Sequence, residues 1–446
     1  MTDATRNPQL MFYIHKTFRT CRSHPISQKS TAHTYPSLFP WRSIALATKD
    51  LWTCLRIYLR RGMLSKDPAI VHELATQWFS RAGAHATLSL QFDGPFNSGR
   101  HGYDFSSIIL SRSEQFRELK IHLPNRDAYA LELATFLRGE GNASYAFPQL
   151  EDLSMDSCHP ANNIEITFAA AGRLRRINAN IRFISWDAKK NFAPWKQLTC
   201  LETGCMKVTI WVPMFAQCIN LETGTFYIMY HADFDDPLPA VNVTMARLTS
   251  LSVGCPFRSS SVKLFDGFRF PALTSLHFEL GQNFLWRHPE HFYDQLRSLH
   301  TLTFVGTSED LVTLLHHTPS SLVHLGAMTE TNPDPLLIGL TATNESNPLA
   351  PQLRQLTIKA NIWTGRSSTD GLLLTMVASR TKNLEASACT LEYLAITLPA
   401  THLDNNGILE RQLLALQMSR VESRRPCFHW VGEDGEIHLA ESWQLD

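Results

Sequence analysis

His231, Asp233, Asp235 and Asp236 gather an imidazole and three carboxylates into one short stretch, a donor set that could hold a divalent cation. The stretch lacks the evenly spaced oxygens and the glycine that let a calcium loop wrap its ion, so it reads as an acidic surface loop. His288 with His291, and His316 with His317, pair imidazoles, but no Cys pair or HExxH phrase completes a zinc set. Cys200 and Cys205 flank a strand-like stretch and read as small apolar packing residues. No GxSxG, GxxxxGK[ST] or GxGxxG phrase occurs. The sequence selects no catalytic residue, no metal ligand and no cofactor, and the expectation is a protein that is not an enzyme.

What recurs instead is a leucine phrase, Leu-x-x-Leu-x-apolar. Clear copies are Leu150-Leu153-Met155, Leu174-Ile177-Ala179, Leu248-Leu251-Val253, Leu273-Leu276-Phe278, Leu299-Leu302-Phe304, Leu353-Leu356-Ile358 and Leu391-Leu394-Ile396. Poorer copies sit at Leu198-Leu201-Thr203 and Leu322-Leu325-Ala327, near Leu221-Phe226 with Gly224 as second anchor, and at Phe116-Leu119-Ile121. Most second anchors lie 23 to 27 residues apart, and a fixed period in the twenties marks a stacked solenoid. Helix-like pieces lie between the phrases: 127–138 ending at Gly139, a capping box at Thr307–Asp310 before Leu311, Leu314 and Leu315, and Thr369–Arg380. Each unit therefore reads as strand, turn, helical or irregular return, next strand, which makes successive strands parallel. The fold class expected is α/β: a leucine-rich-repeat-like solenoid of parallel strands, preceded by a short helical segment.

Residues between the apolar anchors point outward along one continuous, concave face. Lys120, His122, Asp156, Asn178, Asn180, Glu202, His277, Glu279 and Lys359 are the candidate partner-binding residues there. Their polar, mixed-sign character suits a protein or peptide partner better than a phosphate backbone. The other reading is a solvated sheet face with no partner.

The chain has 446 residues, of which 44% are hydrophobic and 18% charged, with 41 basic and 41 acidic side chains. That balance speaks against a nucleic-acid partner drawn by a general positive field. Nine Cys without CxxC pairs fit reduced thiols and a cytoplasmic or nuclear location better than a disulfide framework. No run of 18 apolar residues spans a membrane, and no secretory signal is visible. The sequons at Asn142, Asn242 and Asn344 carry no weight without one. From Ala4 to Thr48 there are basic residues and no Asp or Glu, mildly like a mitochondrial presequence, against a disordered tail.

The domain plan expected is a tail over 1–36, helices and a linker over 37–83, the solenoid over 84–400, and a cap over 401–446. Within it, Asp67-Pro68 starts a helix that Gly83 stops, and Leu55–Leu59 reads as a short strand. Leu88–Phe92 is taken as the first strand of the solenoid. The cap comprises a helix over Ile408–Val421 and a hairpin around Asp434-Gly435.

The Trp41–Trp52 phrase (WRSIALATKDLW) resembles the last helix of an F-box and its exit. With the helix Ala75–Gly83, the strand Leu88–Leu90, the degenerate leucine-rich repeats and the helix Leu413–Arg424, the order of parts over roughly 36–425 is similar to the F-box families abundant in mushroom-forming fungi. Residues 1–36 hold no Leu-Pro-x-Glu phrase, so the resemblance implies an F-box remnant. Only Leu150–Cys158 carries the Cys that normally closes the repeat phrase. The resemblance implies a non-catalytic substrate receptor of an SCF-type ubiquitin ligase, with an adaptor subunit at Trp41, Ile44, Leu51 and Trp52 and an unidentified protein substrate on the solenoid. For those four residues, packing of the N-terminal helices onto the first repeat stays open. The alternative function is a leucine-rich-repeat interaction module with no ligase association.

Overall fold

A computed structural model describes residues 38–58, 68–93, 105–123, 146–160, 168, 170–182, 193–229, 241–255, 264–281, 292, 294–318, 320–342, 348–360, 368–382, 391–397, 411–413, 427–431 and 437–439. The expected tail, the helix over 127–138, the loop at His231–Asp236, His288 and His291, most of the helix over 408–421 and the turn at Asp434-Gly435 lie outside them. The chain divides into two compact units, Met1–Cys205 and Met206–Asp446.

The first unit opens with helix α1 (Leu38–Ala47) and strand β1 (Cys54–Tyr58), followed by α2 (Pro68–Ala82), β2 (Leu88–Asp93), α3 (Phe105–Ser111) and β3 (Phe116–Leu123). Then come β4 (Asp152–Pro160), β5 (Arg176–Arg182) and β6 (Cys200–Lys207). These strands pair in chain order, all parallel. β1 pairs with β2, so the ladder starts one strand before the expected Leu88. α2 begins at Pro68 and ends before Gly83, whose φ of +92° is the left-handed stop that glycine supplies at little cost. Arg112 and Gln115, in the turn before β3, donate to the carbonyls of Phe79, Gly83 and Ala84 and tie that turn to the end of α2.

The second unit begins with α4 (Val208–Phe215), β7 (Thr223–Met229), β8 (Val243–Thr244), β9 (Ser250–Cys255), β10 (Phe268–Arg269) and β11 (Ser275–Leu280). It continues through β12 (Thr301–Gly306), α5 (Ser308–His317), β13 (His324–Thr329), α6 (Asp334–Leu340), β14 (Gln355–Ala360), α7 (Ser368–Lys382), β15 (Tyr393–Thr397), β16 (Cys427–Val431) and β17 (Ile437–Leu439). The strands from β7 through β9 and β11 to β16 pair in parallel. β17 returns antiparallel on β16, which is the expected terminal hairpin. β8 and β10 form a separate two-stranded ribbon.

The leucine phrase explains the parallel stack. Its first leucine sits in the turn before the strand, and its second and third anchors point inward from the strand. Leu150, Leu153 and Met155 are buried, as are Leu273, Leu276 and Phe278. Fully burying each such side chain contributes about 1.5–3 kcal/mol, and registered pairing puts one branched aliphatic anchor against the next: Leu119↔Leu153↔Ile177↔Leu201 in one unit, Leu251↔Leu276↔Leu302↔Leu325↔Leu356↔Leu394 in the other. The structure adds a fourth anchor three residues ahead. Phe147, Ala171, Trp195, Cys218, Met245, Phe270, Leu296 and Ala350 are all buried, and the N–H of the following leucine donates to each one's carbonyl. Neighbouring turns are then laddered by backbone bonds such as Arg175 N–H to Glu151 O and His300 N–H to Thr274 O, so little turn backbone is left unpaired.

Gly224 departs from the phrase for a packing reason. A Cβ there would lie 2.7 Å from Cε2 of Phe226, whose ring takes the room a leucine would fill. That ring belongs to an aromatic cluster in which Trp211 stacks on Phe215 at 4.7 Å and meets Phe226, Phe265 and Phe268 at 5.8 to 6.1 Å. The expected cap of α5 is present: Thr307 Oγ1 accepts from the Asp310 N–H at 3.2 Å and donates to its carboxylate at 2.7 Å. In α7, Arg380 is only 3% exposed and donates to the carbonyls of Leu340, Ala350 and Leu349, at 2.9, 2.9 and 2.5 Å. It thereby closes the turn between α6 and β14.

Candidate recognition face

Alternation along β2 to β6 leaves every second side chain outside, and the parallel register aligns those side chains into rows across the strands. The central row runs Arg56, Gln91, Lys120, Ser154, Asn178, Glu202. One pleat toward the carboxyl ends of the strands runs Tyr58, Asp93, His122, Asp156, Asn180. One pleat the other way runs Cys54, Ser89, Glu118, Asp152, Arg176, Cys200. An open cavity of about 450 Å³ lies over the first two rows; Lys120, His122, Asp156, Asn178 and Glu202 line it together with Gln91, Asp93 and Ser154.

The rows are cross-linked by polar pairs between adjacent strands. His122 Nδ1 lies 2.7 Å from Asp156 Oδ2, and Asn178 donates to Glu202 at 2.8 Å. Arg176 Nη2 reaches Asp152 at 2.9 Å, and Lys120 Nζ reaches Glu118 on its own strand at 2.5 Å. Burial works to raise the Glu118 carboxyl, but hydrogen bonds from Lys120 and Ser89 and the nearby charges of Lys120 and Arg176 outweigh it and hold the group below its ordinary value. The hydrogen bond and charge of Asp152 hold the Arg176 guanidinium above its own. Exposed pairs of this kind each contribute about 0–1 kcal/mol to stability. They order the face more than they stabilise it.

Five of the nine candidate partner-binding residues thus share one cavity. Asn180 pairs in register with Asp156 on the neighbouring strand. The other three lie in the second unit and do not converge. His277 and Glu279 are half-buried neighbours on β11, and Lys359 is on β14, three strands from Glu279, or about 14 Å at the usual strand spacing. Burial lowers the proton affinity of His277 against the opposing charge of Glu279. Gln91 and Asp93 were missed by the sequence reading. The signal was there, since buried Leu88, Leu90 and Phe92 leave Ser89, Gln91 and Asp93 facing out.

At the N-terminal end, Trp41 lies in α1 and Ile44 is 54% exposed on it. Leu51 is half-buried, and Trp52 is 9% exposed. The Trp52 indole donates to Ala45 O at 2.9 Å, meets Trp78 edge-on at 4.6 Å and lies under the Arg81 guanidinium at 4.7 Å. It packs α1 against α2.

Cys218 and Cys255 are buried free thiols; burial pushes Cys218 up, and burial with the charge of Glu279 pushes Cys255 up to about 12. Among the described residues no set of three or more His, Cys, Asp or Glu side chains could hold a metal ion. No described helix is long and apolar enough to cross a membrane. Comparison with known proteins finds no match: no family model, curated protein or solved structure aligns with the chain.

Proposed function

We propose that this chain is a non-catalytic recognition scaffold that receives a protein partner on the outward face of β2 to β6. The observation that carries the reading is the convergence of five strands' polar side chains on one 450 Å³ cavity, above strands whose inner anchors are fully buried. Stacked parallel repeats commonly present binding surfaces of this kind. The test is a photo-crosslinking residue at Ser154, in the middle of the central row, with the same residue at Ser275 in the second unit for comparison. Discrete partner adducts from Ser154 that Gln91→Trp, which fills the cavity whatever the charge of its occupant, abolishes support the reading; adducts from Ser275 alone contradict it.

Following the F-box resemblance, the scaffold serves as substrate receptor of an SCF-type ubiquitin ligase, with the exposed side of α1 around Ile44 against the adaptor subunit. The support is the division of labour at the N-terminus, where Trp52 is spent on packing and Ile44 is left outside. Co-elution of the purified chain with the adaptor, lost in Ile44→Asp, supports it. Absence of co-elution leaves the recognition scaffold without a ligase link.

A further inference from the structure

Resting on that reading, we infer that the occupant of the cavity over β2 to β6 is an extended basic peptide segment, with arginine or lysine side chains about three residues apart. The cavity is lined by three carboxylates, Asp93, Asp156 and Glu202, against one ammonium, Lys120, and one imidazole, His122. The single ammonium is already held by Glu118 at 2.5 Å. The Asp93 carboxylate makes no ion pair or hydrogen bond among the described residues, Asp156 is met by the His122 imidazole at 2.7 Å, and Glu202 is met by the neutral amide of Asn178. The charge left to a ligand is negative, and complementary charge selects a cationic partner.

The geometry gives the spacing. Asp93 and Asp156 occupy the same row two strands apart. At about 4.8 Å per strand that is roughly 10 Å, the reach of about three residues of extended chain. Asp156 and Glu202 are again two strands apart and one pleat offset, which asks for a similar or slightly longer step. Carboxylates spread this way cannot converge on one small cation, but a peptide crossing the strands meets them in turn. Guanidinium groups suit such sites because they are weakly hydrated and bind carboxylates through two parallel hydrogen bonds.

The test uses the purified full chain and the dye-labelled heptapeptide RSGRSGR, read by fluorescence anisotropy, with EGSEGSE as the charge-reversed probe. The expected result is saturable binding of RSGRSGR that weakens with added salt and no binding of EGSEGSE. Asp93→Asn, Asp156→Asn and Glu202→Gln should each weaken binding about threefold or more, and the triple variant at least tenfold. Asp294→Asn, an exposed carboxylate in the second unit, should leave it unchanged. These substitutions are isosteric, and matched thermal unfolding verifies that each variant is folded. RSGRSGR binding that ignores the triple variant overturns the inference, as does displacement of the peptide by equimolar spermine. Binding of EGSEGSE that Lys120→Ala abolishes also overturns it, yet keeps the face as a binding surface, so the occupant and the recognition reading fail separately.

Discussion

The two units are built from the same leucine phrase and differ in what they leave outside. In the first, the outward rows carry Glu118, Lys120, His122, Asp152, Asp156, Arg176 and Glu202, cross-linked by charged and amide pairs. In the second, the matching rows run Thr225, Ser252, His277, Thr303, Gly326, Thr357 and Ser250, Ser275, Thr301, His324, Gln355. Those are mostly neutral and rich in serine and threonine, a composition that a half-exposed strand favours for its own sake; the adjoining row, Tyr227, Gly254, Glu279, Val305, Met328 and Lys359, adds two charges three strands apart. The inner anchors are leucine against leucine in both but for Ile177 in the first and Gly224 in the second. The shared inner face accounts for the stack in both units, and substitutions in the charged rows of the first unit should leave folding intact.

The shared half of the comparison breaks with the largest effect. Leu153→Asp in the first unit or Leu276→Asp in the second buries an unpaired charge and should abolish cooperative unfolding of the unit that holds it. A soluble variant with an unchanged thermal melt would contradict the repeat assignment. Arg380→Met should cost about 3 kcal/mol, because three buried carbonyls lose a charged donor; urea unfolding measures it, and a loss under about 1 kcal/mol would deny the closing role. At Thr203, 2% exposed with its hydroxyl unpartnered among the described residues, Thr203→Val should gain about 1 kcal/mol.

The pH dependence separates the units further. His277 has its folded pKa below the ordinary 6.5, so the unfolded chain takes up the proton first and stability falls as pH drops from about that value. Glu118 is also held below its ordinary value, 4.5, and its contribution is lost only as pH falls below that. Hydrogen exchange should show the second unit weakening first, with His277→Gln removing the earlier loss and Glu118→Gln the later one. The smallest effect is Arg176→Ala, which should change stability by less than about 1 kcal/mol despite its contact with Asp152.

The parallel stack was legible because the leucine period and the alternation within each strand are local signals. Leu153, Leu276 and their equivalents declared their burial by spacing alone. The fourth anchor was less visible because its residue type varies from Phe147 to Ala171 to Cys218; the turn fixes its place and tolerates different sizes. Gly224 looked like a failed repeat, since the ring that replaces the leucine comes from Phe226 on the same strand. Lys120, His122, Asp156, Asn178 and Glu202 could be named as outward-facing, but their meeting in one cavity depends on register between strands far apart in sequence. For the same reason His277, Glu279 and Lys359 looked equivalent to them and are not. Arg380 gave no warning, because its partners are backbone carbonyls some 30 to 40 residues away.

The most direct test of the central claim is a paired comparison of partner crosslinking in two triple variants. One carries Lys120→Ala, Asp156→Asn and Glu202→Gln in the first unit; the other carries Ser250→Ala, Ser275→Ala and Gln355→Ala in the second. Both should unfold like the parent chain. The first variant should lose the Ser154 adducts while the second keeps them. Adducts retained by the first and lost by the second would place recognition on the neutral face and contradict it.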